Sequence, residues 1–149
     1  MEISKAIKQE RFNSNQEMAL INLLFTCNWL RDQQNSIFKD FRILPQHYNV
    51  LRIVKGQYPE PVNVGYILDV MLDKGRDLTR LIDKLVAFGL LSREACKENR
   101  RKTNISITEK GIRISDDIKM RLYDWMESQK YLSDEEFEHL SFLLDKMRG

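Results

Sequence analysis

A mainly α-helical fold carrying one small β-hairpin is predicted for this chain by three observations. Apolar residues recur at helical spacing through most of its 149 positions. Near the middle, two short helical patterns meet at a tight turn containing Gly75. Two strand-like runs, "LLSREA" and "TNISIT", then flank the charged, turn-prone "CKENRRK".

Composition narrows the class. With 42% hydrophobic and 31% charged residues the chain can bury a core, which argues against disorder. No apolar run approaches the roughly 20 residues that span a bilayer, so no membrane partner is expected. "MEISKAIKQERF" lacks the apolar stretch and small-residue cleavage site of a signal peptide. Cys27 and Cys96 form no C-x-x-C pair, and neither a zinc site nor a disulfide framework is indicated. A reduced, cytoplasmic protein is the expectation. The net charge of +2 conceals an uneven distribution. Residues 43–113 hold 13 Lys+Arg against 8 Asp+Glu, residues 114–149 hold 5 against 9, and residues 1–42 hold 6 against 5. A basic middle and an acidic tail suggest that only the middle faces a polyanion.

Taken in order, "EISKAIKQERF" reads as a short separate helix ending near Asn13. From about Gln16 to Phe38 the spacing of Met18, Ile21, Leu24, Phe25, Leu30 and Ile37 is helical, and within "ALINLLFTCNWL" apolar residues run almost all the way round. Such a helix must be covered on most sides, which predicts burial against a partner subunit. Pro45 suits the first turn of the next helix, where its missing N–H costs nothing. That helix should bury Tyr48, Val50, Leu51 and Val54 and end at Gly56. "GQYPEPVN" is a loop. "VGYILDVMLD" is a short helix, "KG" breaks it, and "RDLTRLIDKLVAFG" resumes with Leu78, Leu81, Ile82, Leu85 and Val86 on one face. Gly89 is placed as its C-terminal cap. The two strand-like runs follow, the second alternating through Ile105 and Ile107. Thr108 is placed to cap a helix through "IRISDDIKMRLYDWMESQ". The last helix opens on a capping box, Ser133 with Glu136, and carries the apolar stripe Phe137, Leu140, Leu144 and Met147. A helix-turn-helix followed directly by a basic β-hairpin is the winged helix-turn-helix arrangement.

The run "FGLLSREACKENRRKTNISITEKG" resembles the MarR family of bacterial transcriptional regulators. The resemblance rests on a recognition helix of form T-R-L-x-D-x-L from Thr79 to Leu85 and G-L-L-x-R from Gly89 to Arg93. A wing similar to D-x-R at Asn99 to Arg101 and an I-T-x-K-G closure from Ile107 to Gly111 complete it. "ILPQHYNVLRIV" is similar to the family's second helix. The resemblance covers most of the chain and implies a homodimer. Residues 1–42 and 114–149 would supply the dimerisation helices, and residues 43–113 the winged helix-turn-helix lobe that binds DNA. Two positions depart from the family pattern. The wing's acidic position is Asn99, which loses any salt bridge an acid makes there. The recognition helix opens with Arg76 and Asp77, where small hydroxyl residues are frequent, so the preferred operator does not carry over.

When such a helix lies in the major groove, its N-terminal turns reach base edges. Arg76, Asp77, Thr79 and Arg80 occupy those turns. Arginine pairs two-pronged with guanine O6 and N7, and aspartate accepts from cytosine N4. The plain alternative is that Asp77 caps the helix and the arginines are solvated. Lys84, a turn further on, is a backbone contact or a solvated charge. The resemblance places Arg101 in the minor groove, where a planar guanidinium suits a narrow electronegative cleft, and leaves Arg100 and Lys102 to touch phosphates. A solvated loop is the alternative there. Trp29, His47, Tyr48, Tyr66 and Trp125 are candidates to line a cleft between the DNA lobe and the dimer lobe. The resemblance implies that such a cleft binds a small, commonly aromatic or phenolic, effector; core packing is the competing role for each.

Catalysis has little support. His47 and His139 are the two histidines, no metal-spaced cluster and no glycine-rich phosphate loop is present, and Asp69 and Asp73 read as a solvated helix face. No enzymatic activity, cofactor or metal is expected. The sequence therefore predicts a sequence-specific DNA-binding regulator, an effector-responsive repressor. As a homodimer it would set two recognition helices in successive major grooves about 34–36 Å apart on a pseudo-palindromic operator in double-stranded DNA. The rival reading is a winged-helix module that uses the same hairpin to bind protein.

Overall fold

The structure, a computed structural model, describes residues 1–73, 77–95, 103–128 and 131–149. Helix α1 (Ile3–Ile7) stops earlier than its sequence pattern suggests because Lys8 turns left-handed, with φ 55°. Ser14 caps α2 (Asn15–Asp40) by accepting the N–H of Glu17 at 3.1 Å. Helix α3 (Pro45–Gly56) starts on its proline and ends on its glycine as expected, and Tyr48, Val50, Leu51 and Val54 are buried. The "GQYPEPVN" stretch is not wholly a loop. It contains a two-residue strand, β1 (Val62–Asn63), and Asn63 also caps α4 (Val64–Val70) by accepting the N–H of Tyr66 at 2.9 Å. The predicted "KG" break lies outside the described residues.

Helix α5 (Leu78–Ala87) buries Leu78, Leu81, Ile82 and Leu85 on one face. It ends in a Schellman motif: the N–H of Leu90 reaches the carbonyl of Leu85 at 2.9 Å, and that of Gly89 reaches Val86 at 2.9 Å. Gly89 takes φ 68°, which a residue with a Cβ adopts only under strain. Strands β2 (Leu91–Ala95) and β3 (Thr103–Ile107) pair antiparallel, Leu91 opposite Ile107 and Ala95 opposite Thr103. β1 pairs on the other edge of β3, Val62 opposite Ile105, giving the order β1-β3-β2. Helices α6 (Glu109–Ser128) and α7 (Asp134–Arg148) complete the chain, the latter opened by the Ser133–Glu136 capping box. The fold is mainly helical with a small antiparallel sheet, as the sequence predicts.

The core lies in the middle of the chain. Val50, Leu51 and Val54 of α3 meet Ile67 of α4, Ile82 and Leu85 of α5, Leu91 and Ile105 of the sheet, and Ile118 of α6. Outside it many large apolar residues are open. Helix α2 buries Phe38 alone, and α7 buries no residue against the described chain. Leu24 is 66% exposed, and Leu20, Phe25, Trp29, Phe137, Leu140 and Met147 are exposed as well. Ion pairs tie α6 to earlier helices: Arg121 with Asp40, its guanidinium 4.9 Å from the Phe41 ring, and Asp116 with Lys55 of α3.

Candidate nucleic-acid interface and the adjoining cleft

Helix α5 is amphipathic, and burial of its leucine face leaves Thr79 and Arg80 on the open side. Asp77 is the helix cap. One carboxylate oxygen accepts the N–H of Arg80 at 3.3 Å, and the other pairs with Arg80 Nε at 3.2 Å. The acid therefore holds its own helix while the Arg80 side chain remains 87% exposed. Lys84 is half-buried, with its ammonium 5.5 Å from the Phe88 ring. Arg76, Arg100, Arg101 and Lys102, the remaining candidates for DNA contact, lie outside the described residues, as do Cys96 and Asn99.

The residues that carry the sequence motif turn out to be fasteners. Asp83 of α5 pairs with Arg93 of β2 at 2.8 Å, so the two halves of the motif bolt the helix to the hairpin. At the far end of β3, the Thr108 hydroxyl donates to the Gly89 carbonyl at 2.7 Å and accepts the N–H of Gly111 at 3.0 Å. Thr108 N–H reaches the Leu90 carbonyl at 3.1 Å, and Lys110 Nζ donates to the Phe88 carbonyl at 2.8 Å. Gly111 is required by close approach: a Cβ there would lie 2.1 Å from the Leu90 carbonyl oxygen. The turn after α5 is thereby fixed to the first turn of α6. Sequence reasoning found Thr108 as a cap but missed the Asp83–Arg93 bridge, whose two residues are ten apart and unremarkable singly.

A cleft of about 740 Å³ lies between α2, α3 and α6. Gln34 and Phe38 come from α2, Pro45, Tyr48, Asn49, Arg52, Lys55 and Gly56 supply the α3 wall, Ser115, Lys119, Leu122 and Met126 supply the α6 wall, and Leu72 joins them from the end of α4. Of the five aromatic candidates for an effector cleft, Tyr48 lines this one. His47 sits one residue round α3, on the core side, where its Nδ1 accepts the N–H of Leu44 at 3.0 Å. Trp29 precedes Gln34 by five residues, about 140° round the helix. Trp125 is one step off the α6 stripe, and the Tyr66 hydroxyl is engaged by Gln57 Nε2 at 2.8 Å. Burial lowers the His47 pKa from its ordinary value, with the positive charge of Lys84 adding to the effect. Burial raises that of Tyr48; Arg52 opposes this and Asp116 adds to it, so both charges stand near its hydroxyl. Among the described residues no helix is long and apolar enough to cross a membrane, and no cluster of three or more metal-ligating side chains occurs.

No family model and no curated protein matches the chain. Solved structures do. A MarR transcription factor from Planctomyces limnophilus is 30% identical, with 91% of this chain and 98% of that one covered at a TM-score of 0.70. A MepR–DNA complex from S. aureus is 20% identical, covering 84% of this chain and 92% of that one at a TM-score of 0.74. CouR from Rhodococcus jostii RHA1, bound to p-coumaroyl-CoA, is 21% identical, covering 91% and 95% at a TM-score of 0.73.

Proposed function

The chain belongs to the MarR family of transcription regulators, and from that premise we propose that it is a homodimeric, sequence-specific DNA-binding repressor whose affinity for DNA responds to a small effector. The observation that carries this reading is the fastened unit of α5 and hairpin: the helix offers Thr79 and Arg80 outward while Asp83 and Arg93 hold the wing beside it. The MepR neighbour forms a complex with DNA, which supports DNA as the partner. Arg76, Asp77, Thr79 and Arg80 would then address the major groove, with Lys84 further along the helix. Arg101 would enter the minor groove and Arg100 and Lys102 the flanking phosphates. Asp77 would reach a base only by exchanging its bond to Arg80. The exposed apolar residues of α2 and α7 support residues 1–42 and 114–149 as the dimerisation helices. The cleft between α2, α3 and α6 is the effector site in this reading, and the binding of p-coumaroyl-CoA by the CouR neighbour supports a ligand-responsive protein.

Selection of genomic fragments with the purified protein tests this. An enriched pseudo-palindrome is expected, bound with an affinity that falls ~10³–10⁵-fold between 50 and 200 mM salt if about six to ten phosphates are engaged. Arg80→Ala should weaken that binding by ~1–3 kcal/mol and relax selectivity at a major-groove position. Absence of any enriched fragment, together with retention of a protein partner through the hairpin, would instead favour the interaction-module reading.

A further inference from the structure

Arg80 has a carboxylate three residues away on either side along the chain, Asp77 before it and Asp83 after it, and residues so spaced are neighbours on a helix surface. The two acids are put to different uses. Asp83 is bonded to Arg93 of β2 at 2.8 Å, so its charge is spent on the hairpin. Asp77 takes Arg80, with a carboxylate oxygen 3.2 Å from Nε, and draws the guanidinium toward the N-terminal turn of α5. That turn is the part of such a helix that reaches base edges. The other oxygen of Asp77 accepts the Arg80 backbone N–H at 3.3 Å, so the acid is anchored to the residue whose side chain it holds. Both side chains stay open, Asp77 at 55% exposure. A guanidinium presents five N–H donors in one plane, and an acid at Nε leaves the terminal Nη1 and Nη2 groups as a second pair.

Resting on the reading of α5 as the helix that enters the major groove, we propose that Asp77 is a positioning residue for Arg80 and so a determinant of sequence specificity. It holds the guanidinium so that Nη1 and Nη2 donate to O6 and N7 of one guanine in each half-site, in place of making a base contact of its own. Adenine presents its N6 donor where guanine presents O6, so a fixed pair of donors rejects it. An arginine without this tether swings onto a phosphate as readily as onto a base. The Asp77 charge also repels phosphates, which lowers affinity for every duplex alike. Asp77 thus gives up general affinity and gains discrimination.

Selection from a randomised duplex library with the full chain and its variants tests this, followed by fluorescence anisotropy on the enriched duplex and on a scrambled one. The parent should enrich a guanine in each half-site that Arg80→Ala no longer selects. Replacing that guanine by 7-deazaguanine, which lacks the N7 acceptor, should weaken the parent about fivefold and Arg80→Ala not at all. Asp77→Ser keeps a capping hydroxyl. It should bind the scrambled duplex more tightly, yet lower the preference for guanine over adenine about two- to fivefold, the strength of an open ion pair. Combined with Arg80→Ala it should change that preference no further. A cap alone cannot produce these opposite signs, since a frayed helix weakens binding to both duplexes, and circular dichroism melts check that the variants fold. Unchanged guanine preference in Asp77→Ser overturns the proposal and leaves Asp77 a cap. Preference lost at a cytosine, with or without Arg80, overturns it by making Asp77 a base reader. If Arg80→Ala selects the same bases as the parent, the proposal falls while DNA binding stands. No sequence enriched by the parent overturns the DNA-binding reading and the proposal with it.

Discussion

Leu51 of α3 and Leu24 of α2 sit in helices that both carry apolar residues at regular spacing, yet the first is fully buried and the second is 66% exposed. The contrast extends to their surroundings. Around Leu51 the chain closes on itself: three helices and a sheet supply every wall of the core, and the fasteners at Asp83, Thr108 and Gly111 seal its edge. Around Leu24 no described segment supplies the opposite wall. A sealed core derives its stability from within one chain, whereas an apolar face left open has free energy to gain from a second surface. Substitutions in the two regions should accordingly fail differently, one in unfolding and the other in association.

The largest expected effect is in the sealed region. Leu51→Ala should cost ~2–5 kcal/mol, read as a lower urea midpoint, since the site is enclosed by residues that cannot all collapse into the void. Association is the next test. Sedimentation of the intact chain should give a dimer at micromolar concentration, and truncation before Ser133 should abolish it; a truncated chain that remains a dimer would show that α7 is not part of the interface. Thr108→Val is smaller, about 1 kcal/mol, because it removes a helix cap and the bond to Gly89 while keeping the shape. The smallest is a pH effect. His47 is buried neutral and its folded pKa lies below 6.5. Above that value both states are neutral; as pH falls below it the unfolded chain protonates first, and stability declines until the folded pKa is reached. His47→Gln keeps an acceptor for the Leu44 N–H without titrating, so its urea midpoint should fall less than that of the parent chain between pH 7 and 5.

The sealed region was also the more legible one. Pro45, Gly56, Gly89 and Ser133 mark helix ends by local chemistry, and the structure places ends there within two residues. Ile105 and Ile107 alternate as a strand must when one face is buried. β1 was invisible because two residues have no period, and the prolines beside it signal a loop. The cleft was illegible for another reason. Periodicity tells which helix face is apolar but not which polar residues oppose one another across a gap, so the lining residues Arg52, Lys55, Ser115 and Lys119 were not singled out. The candidate DNA contacts were read from position on the helix and hairpin, and of these Arg80 and Thr79 fall on the open face of α5.

The fasteners also differ from the ion pairs of α6 in how far apart along the chain their members lie, and this bears on the order of assembly. Thr108 meets Gly89 across 19 residues and Lys110 meets Phe88 across 22, whereas Lys55 meets Asp116 across 61 and Asp40 meets Arg121 across 81. The entropy of closing a loop grows with the logarithm of its length, so the short closures form at less cost and belong to the transition state before the long ones do. Loss of the Thr108 hydroxyl should then appear mainly as slower refolding, and loss of the Arg121 guanidinium mainly as faster unfolding. The turn after the recognition helix would be made first, and the long helix would dock onto it afterwards.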